Sequence, residues 1–327
     1  MKIPQRYKHT EFGLIPDDWV LCTFKDVLTT FSSGATPYRG IPEYYNGNIR
    51  WISSGELNYN VIYDTIEHIS ANAVRNTNLH ILNPSTFLMA ITGLEAEGTR
   101  GKCAFVGAPA TTNQSCLAIN GTDRMCVEYL FWFYRMWGDY LAFKYCQGTK
   151  QQSYTAEIVK KLPIYCPITI KEQNKIAEAL SDVDALIAAL DKKIAKKRLI
   201  KQGAMQQLLT GKKRLPNFSE KWVSKKLGEI SRIKTGKRNG DEQVKNGKYP
   251  FFVRSNVVAR IDSYSFDGEA ILVPGEGGIG AIFHYVNGKF DYHQRVYKIS
   301  DFADAIYGKY VYYIRKDILA SMHCLCL

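Results

Sequence analysis

Few residues in this chain stand at spacings that could do covalent chemistry. Gly275-Glu276-Gly277-Gly278-Ile279-Gly280 fits G-x-G-x-x-G after an apparent strand. Binding a dinucleotide would also need a helix directly afterwards, with its N-terminus facing the pyrophosphate. Ala281 to Val286 reads instead as a second strand, so the glycines are read as a tight turn or a point of close backbone approach. The histidines are isolated: His68 and His80 lie far apart, and His284 and His293 have no evident acid or nucleophile partner. Without a triad order or paired-ligand spacing, no catalytic residue is assigned. The cysteines (Cys22, Cys103, Cys116, Cys126, Cys146, Cys166, Cys324 and Cys326) form no C-x-x-C pair. They are read as reduced, buried thiols of a cytoplasmic protein, not as metal ligands. No cofactor and no metal is expected.

The chain does carry donors for phosphates and base edges. Its 327 residues hold 43 Lys and Arg against 31 Asp and Glu, a formal net charge of +12, with a pI near 9.2. That balance favours a polyanionic partner, nucleic acid or an acidic membrane surface. No apolar run approaches the length of a membrane span and no signal-peptide segment opens the chain, so nucleic acid is preferred. Arg suits guanine, and Asn or Gln suits adenine. The candidates in the first half are Arg39, Arg75, Arg100, Lys102, Lys150, Gln151 and Gln152, with Gly148-Thr149-Lys150-Gln151-Gln152-Ser153 the most suggestive loop. In the second half they are Lys237, Arg238, Arg254, Asn256 and Arg260. Any one of them, taken alone, is more simply a solvated surface charge.

The stretch that must position these loops is Thr169 to Leu209. Thr169 and Glu172 are spaced for a capping box. Ile176, Leu180, Val183, Ile187, Leu190 and Ile194 recur at alternating steps of four and three. They form a narrow stripe, the seam of a coiled coil more than the broad face of a core helix. Gly211 and Pro216 supply stop signals. At about 1.5 Å per residue the helix would be roughly 60 Å long, a spacer between domains. Lys197, Lys201 and Gly203 blur the seam after Ile194.

Before this helix, residues 1 to about 18 read as an extended, partly basic arm. Ile49–Ile52, Phe87–Ile91, Cys103–Val106 and Cys116–Ile119 read as buried strands. Glu128–Tyr145 reads as a helix and Val159–Tyr165 as a last strand. After the helix the pattern begins again, as an internal repeat. Trp222-Val223 matches Trp19-Val20, Leu227 matches Phe24, and Glu229-Ile230 matches Asp26-Val27. Ile233 to Gly236 echoes Phe31 to Gly34, Ala270–Val273 matches Phe87–Ala90, and His293-Gln294 matches Asn113-Gln114. Tyr310 to Tyr313 matches Tyr129 to Trp132. Trp19 and Trp222 are read as core anchors, because they recur where the two halves otherwise differ. By this alignment the second copy ends early.

The order of these pieces resembles the specificity subunit of type I restriction-modification systems. The residues that carry it are Gly13-Leu14-Ile15-Pro16-Asp17-Asp18-Trp19, Leu162-Pro163-Ile164 with Pro167, Lys171-Glu172-Gln173-Asn174-Lys175-Ile176-Ala177, and Gln206 to Pro216. The resemblance covers essentially the whole chain. It implies an α+β fold with two target-recognition domains joined by a long coiled-coil-type helix. The expected boundaries are 1–168, 169–211 for the helix, and 212–327 for a second domain incomplete at its C-terminus. It further implies a non-catalytic subunit that reads a bipartite target in double-stranded DNA. Methyltransferase subunits would dock on the helix, and restriction subunits would join through them. The family pairs two long helices, and one is found here. A second copy, pairing through Thr169–Leu209, or another chain would then supply the mate. Asn83-Pro84-Ser85-Thr86 resembles the Asn-Pro-Pro-aromatic motif of amino-methyltransferases only in its first two residues, and reads better as a turn. The rival reading is a coiled-coil scaffold with only non-specific DNA affinity.

Overall fold

The computed structural model describes residues 6–96, 98–148, 152–277 and 280–314. The backbone divides into two compact units, Met1–Ala189 and Leu190–Leu327. Each mixes helices with a sheet, as an α+β fold should.

In chain order the first unit contains β1 (Tyr7–Thr10), β2 (Gly13–Pro16), β3 (Val20–Thr23), α1 (Phe24–Val27), β4 (Thr29–Ser33), β5 (Ile49–Ile52), β6 (Asn60–Ile62) and β7 (Glu67–Ile69). Then follow α2 (Ala71–Asn76), β8 (Phe87–Ala90), β9 (Cys103–Val106), β10 (Ala110–Thr112), β11 (Cys116–Asn120), α3 (Val127–Tyr145), α4 (Ala156–Lys160), β12 (Pro163–Cys166) and the start of α5 (Ile170–Leu208). The main sheet has the order β4-β11-β8-β9-β6, and β10-β5-β7 forms a smaller one. All four residues of β8 are buried, so the strand reads as a continuous apolar run instead of an alternation. Leu130, Tyr134 and Leu141 turn one face of α3 onto this core, where the Tyr134 ring meets Phe87 edge-on at 5.8 Å.

Two expectations need correction. The N-terminal arm is a hairpin in which β1 pairs antiparallel with β2. Phe12 at its tip inserts between Phe133, Trp137, Tyr140 and Tyr165, with centroids 5.1 to 6.0 Å away. Burial of that one ring outweighs the polarity that made the segment read as an arm. The predicted strand Val159–Tyr165 is a helix followed by a strand. Thr155 caps α4 by accepting the Ile158 N–H at 3.2 Å, and β12 then pairs with β3.

Helix α5 spans 39 residues, about 58 Å at the usual rise. Thr169 caps it, its hydroxyl accepting the Glu172 N–H at 3.3 Å. The Glu172 carboxylate reaches the Trp19 indole at 3.3 Å. Only Gln173 and Ala177 are buried along the helix. The Gln173 side chain accepts the Cys126 N–H at 2.9 Å and donates to the carbonyls of Arg124 (3.0 Å) and Pro167 (2.9 Å). Trp132 donates to Ser181, and Arg135 pairs with Asp184. Past the helix, Gly211 takes a φ of +71°, as a helix stop should.

The second unit carries α6 (Leu227–Ile230), β13 (Arg232–Thr235), β14 (Tyr249–Phe252), β15 (Ala259–Ile261), β16 (Phe266–Pro274), β17 (His284–Tyr292) and β18 (Val296–Ser300), in one sheet of order β13-β18-β16-β17-β14-β15. The repeat holds at the level of single hydrogen bonds. Asn113 N–H donates to the Ile52 carbonyl at 2.9 Å, and His293 N–H to the Phe252 carbonyl at 2.9 Å. Gly34 and Gly236 both lie against backbone: an added Cβ would fall 1.8 Å from the Thr112 carbonyl oxygen in one case and 2.1 Å from that of Tyr292 in the other. β17 does alone what β9 and β10 share, since it runs antiparallel to β16 and then parallel to β14.

The register corrects one alignment. Leu117 pairs with Met89 and Tyr297 with Val273, so Val273 corresponds to Met89 and not Ala90. A slip of one residue moves every side chain to the opposite face. Of the two expected core anchors, Trp19 packs against the edge of the first unit's core, while Trp222 belongs to no core cluster among the described residues. Trp19 is half-buried against Tyr129, with centroids 6.2 Å apart. Trp222 is 47% exposed and meets the equivalent Tyr310 at 6.3 Å. Trp19 touches the start of α5, and Trp222 faces Gly211 just beyond its end.

Replacing Gln173 should test what holds α5 to the first unit. Gln173→Ala strands a buried N–H and two carbonyls and should cost about 2–4 kcal/mol. Gln173→Glu, which keeps the acceptor and loses both donors, should also destabilise. Urea unfolding of the full chain, followed through the first unit's Trp fluorescence, measures both; an Ala variant within 0.5 kcal/mol of wild type, roughly the range of neutral surface changes, contradicts the account.

Candidate nucleic-acid interface

The structure divides the predicted contact residues into those already engaged and those left open. Arg39 forms a fork with both carboxylate oxygens of Glu67, at 2.5 and 2.8 Å, and its guanidinium lies over the rings of Tyr45 (4.3 Å) and Trp51 (5.4 Å). That hydrogen bond holds the Glu67 carboxyl below its ordinary range. Arg39 therefore braces the loop between β4 and β5, with one face still exposed. Arg75, in the last turn of α2, bonds to the Asn72 side chain. Arg100 pairs with Asp139 at 2.5 Å. Lys102 donates to Asn58 at 3.0 Å and sits 4.5 Å above the Tyr59 ring. Gln152 is tied through its backbone, its N–H to Glu95 and its carbonyl to Leu94. Lys150 and Gln151 lie outside the described residues.

In the second unit Arg238 is a brace. It bonds Glu242 (2.7 Å), Ser263 (3.0 Å) and Asp291 (3.3 Å). Asp291 is itself 1% exposed and also accepts from Ser265 at 2.7 Å. A buried carboxylate needs this company. Arg254 pairs with Glu276, which also takes both oxygens to Arg295, at 2.6 and 2.8 Å. The Arg295 and Arg254 bonds keep the Glu276 carboxyl low. Lys237, Asn256 and Arg260 are exposed, and none of them has a side-chain hydrogen bond or ion pair within the described residues. These three, with the outer face of Arg39, are the predicted donors most available to a ligand.

Sequence reasoning missed Arg295. It directly follows the repeated His293-Gln294 pair, which could have pointed to it. It also missed a cavity of about 700 Å³ in the first unit, lined by Thr30, Ser32, His80, Asn83, Ser85 and Asn120 among others. The Asn-Pro turn is part of that wall. The glycine-rich segment connects β16 to β17, two paired strands, so the helix a dinucleotide site requires does not follow it. Among the described residues no cluster of His, Cys, Asp and Glu could hold a metal ion, and no described helix is long and apolar enough to cross a membrane.

The five later members of the apolar stripe on α5 are open: Leu180 42%, Val183 56%, Ile187 52%, Leu190 48% and Ile194 48% exposed. Ile176 packs partly against the first unit's core. Leu186, Leu199 and Ile200 are exposed as well, so the apolar surface is wider than a strict seam.

The chain thus repeats one sheet unit register by register, with a long helix between the copies in sequence and donors on the loops. The family model described as "Type I restriction modification DNA specificity domain" matches residues 16–197 and 219–322, and the chain belongs to that family. It is 27% identical over 290 residues to the type I restriction enzyme MjaIX specificity subunit of Methanocaldococcus jannaschii, covering 81% of this chain and 65% of that protein. It is 38% identical to the EcoDI specificity subunit of Escherichia coli over 78 residues, 24% of this chain and 17% of the other. The chain thus spans less than two thirds of the length of these curated relatives. Among solved structures, the S subunit of a type I restriction-modification system from M. genitalium has a TM-score of 0.64 at 15% identity, over 99% of this chain and 80% of that one. The HsdS subunit of Thermoanaerobacter tengcongensis has a TM-score of 0.51 at 13% identity, over 94% and 81%. At such identities the likeness is one of fold.

His293 offers a pH test of the second unit. Its Nδ1 accepts the Arg295 N–H at 3.0 Å, the bond that Asn113 Oδ1 makes to Ser115 in the first unit. Burial, then Arg254 and Arg295, push its pKa below the ordinary value. The fold favours the neutral ring, so its stabilising contribution is present above about pH 6.5 and is lost as pH falls through the lowered value. His293→Asn should keep the fold and lose part of this acid sensitivity. Denaturation midpoints of both proteins at about pH 7 and about pH 5 measure it; identical shifts would exclude His293 as a source.

Proposed function

We propose that this chain is a non-catalytic DNA-recognition subunit of a type I restriction-modification complex. In this reading residues 1–168 and 212–327 read the two halves of a bipartite target, and residues 169–211 form the spacer. The open stripe of Leu180, Val183, Ile187, Leu190 and Ile194 pairs with a second helix, from another copy of the chain or another subunit. Methyltransferase subunits dock against the spacer, restriction subunits join through them, and the complex works in the cytoplasm. The observation that carries the reading is the repeat. Two units share a hydrogen-bond skeleton while their loop side chains differ, as two readers of unlike half-sites require. Family membership and the basic net charge support it.

Selection from a random duplex pool by the chain co-purified with a cognate methyltransferase subunit is the decisive experiment. Two constant blocks around a fixed gap are expected. Recovery of unselected duplex, bound with salt-dependent affinity only, would favour the scaffold reading. Val183→Lys with Leu190→Lys, at exposed positions, should abolish co-purification without lowering the melting temperature; unchanged co-purification would remove the helix from the docking surface.

A further inference from the structure

The repeat exposes a difference that neither the loops nor the family description accounts for. In the first unit Ser32 on β4 pairs with Ala118 on β11. At the same register of the second unit Lys234 on β13 pairs with Lys298 on β18, and Arg232 pairs with Ser300. Directly paired residues share a face, and so do residues two apart on a strand. Arg232, Lys234 and Lys298 therefore crowd one face at one edge of the sheet.

Three cations on one face destabilise the sheet, most of all where Lys234 stands opposite Lys298. No carboxylate among the described residues pairs with any of the three. Asp301 is the acid that acts on Lys298, and its carboxylate accepts from the Ser300 hydroxyl at 3.1 Å. Lys298 is 5% exposed, and its ammonium is held against the Phe266 ring. A buried lysine with an aromatic face as its main support is costly. The fold itself does not require it, since the first unit has Ala118 there, fully packed. On that unit the same face opens into the cavity lined by the uncharged Thr30, Ser32 and Asn120.

We propose that the Arg232–Lys234–Lys298 face of the second unit is a contact surface for the phosphate backbone of duplex DNA. Arg232 and Lys234 stand about 7 Å apart along an edge strand whose four residues are all exposed. That is a row, open to a wide polyanion, and not a cup of convergent donors around one small anion. Lys298, buried on the neighbouring strand, adds its charge beneath this row without itself reaching solvent. The three side chains carry no base information of their own; they add affinity and fix orientation for the second reader. The proposal rests on the DNA-reading function above, and its test is arranged so that the two can fail separately.

The test exchanges each residue for its counterpart in the first unit: Arg232→Thr, Lys234→Ser and Lys298→Ala. Full-length wild type and variant are titrated, at salt from about 50 to about 200 mM, with a labelled duplex of random sequence and with the selected duplex. The triple variant should bind both more weakly, by about tenfold or more at the low-salt end. Its plot of log K against log salt should be shallower by about 2, from the two exposed contacts. The preference for the selected over the random duplex should stay the same. An equal slope and affinity in a variant that melts like wild type overturns the proposal while leaving the DNA reading intact. Failure of the wild type to bind any duplex overturns both. If the triple variant melts early, the exposed pair Arg232→Thr and Lys234→Ser carries the test, with an expected loss of about 2 in slope and no loss rejecting the proposal.

Discussion

A single buried amide holds the long helix to the first unit. Gln173 spends its acceptor and both donors on backbone of Cys126, Arg124 and Pro167. These groups lie at the head of α3, in the turn before it, and just ahead of α5. Each would be left unpaired without it. Hydrophobic burial contributes less, because Ala177 is the one fully buried apolar residue of α5 and Ile170 and Ile176 pack only partly against the core. Trp132 with Ser181 and Arg135 with Asp184 add polar contacts along the next two turns. The direction in which α5 leaves the first unit thus depends on side-chain hydrogen bonds more than on a packed face. It also explains the Lys171-Glu172-Gln173-Asn174-Lys175-Ile176-Ala177 stretch. Its glutamine is the bolt, its Glu172 meets Trp19, and its Ala177 is small enough to let the helix lie close.

The two units show what this fold needs and what it leaves free. Both keep a glycine where a strand passes within contact of another backbone, at Gly34 and Gly236. Both close the same turn with a side-chain acceptor, Asn113 in one and His293 in the other. Both set an indole against an equivalent tyrosine, Trp19 against Tyr129 and Trp222 against Tyr310. The side chains between these points differ widely. One sheet edge is lined with hydroxyls and alanine, the other with lysine and arginine. A scaffold that fixes backbone geometry through glycine contacts and turn bonds can change its surface charge without changing its register.

Engagement by carboxylates sorts the basic residues into two classes. Arg238 looked like a reader because it lies on a loop, yet it neutralises the buried Asp291 and ties three segments together. Arg39 and Arg254 are held in ion pairs as well. Such residues shape a loop, and a ligand must compete for them. Lys237, Asn256 and Arg260 are exposed without such partners among the described residues. Sequence offers little means of telling these classes apart, since apart from Glu242, four positions from Arg238, the deciding carboxylates are 22 to 53 positions away.

What the chain's order of residues settles is local. A capping threonine, a four-three apolar spacing and a terminal glycine mark α5 to within a residue or two, because caps and helical period act between near neighbours. Short apolar runs bounded by turns mark β5, β8, β9 and β11 for the same reason. The repeat was legible too, through landmarks at matching intervals. Tertiary structure alone decided the rest. Strands buried on both faces lack alternation, so nothing local revealed that Val273 answers to Met89 and not to Ala90. Only the core waiting around Phe12 turned the N-terminal segment into a hairpin. Only the three backbone groups around Gln173 made an ordinary helix glutamine indispensable. Each of these outcomes is set by partners remote in sequence, whose nearness is a product of the fold.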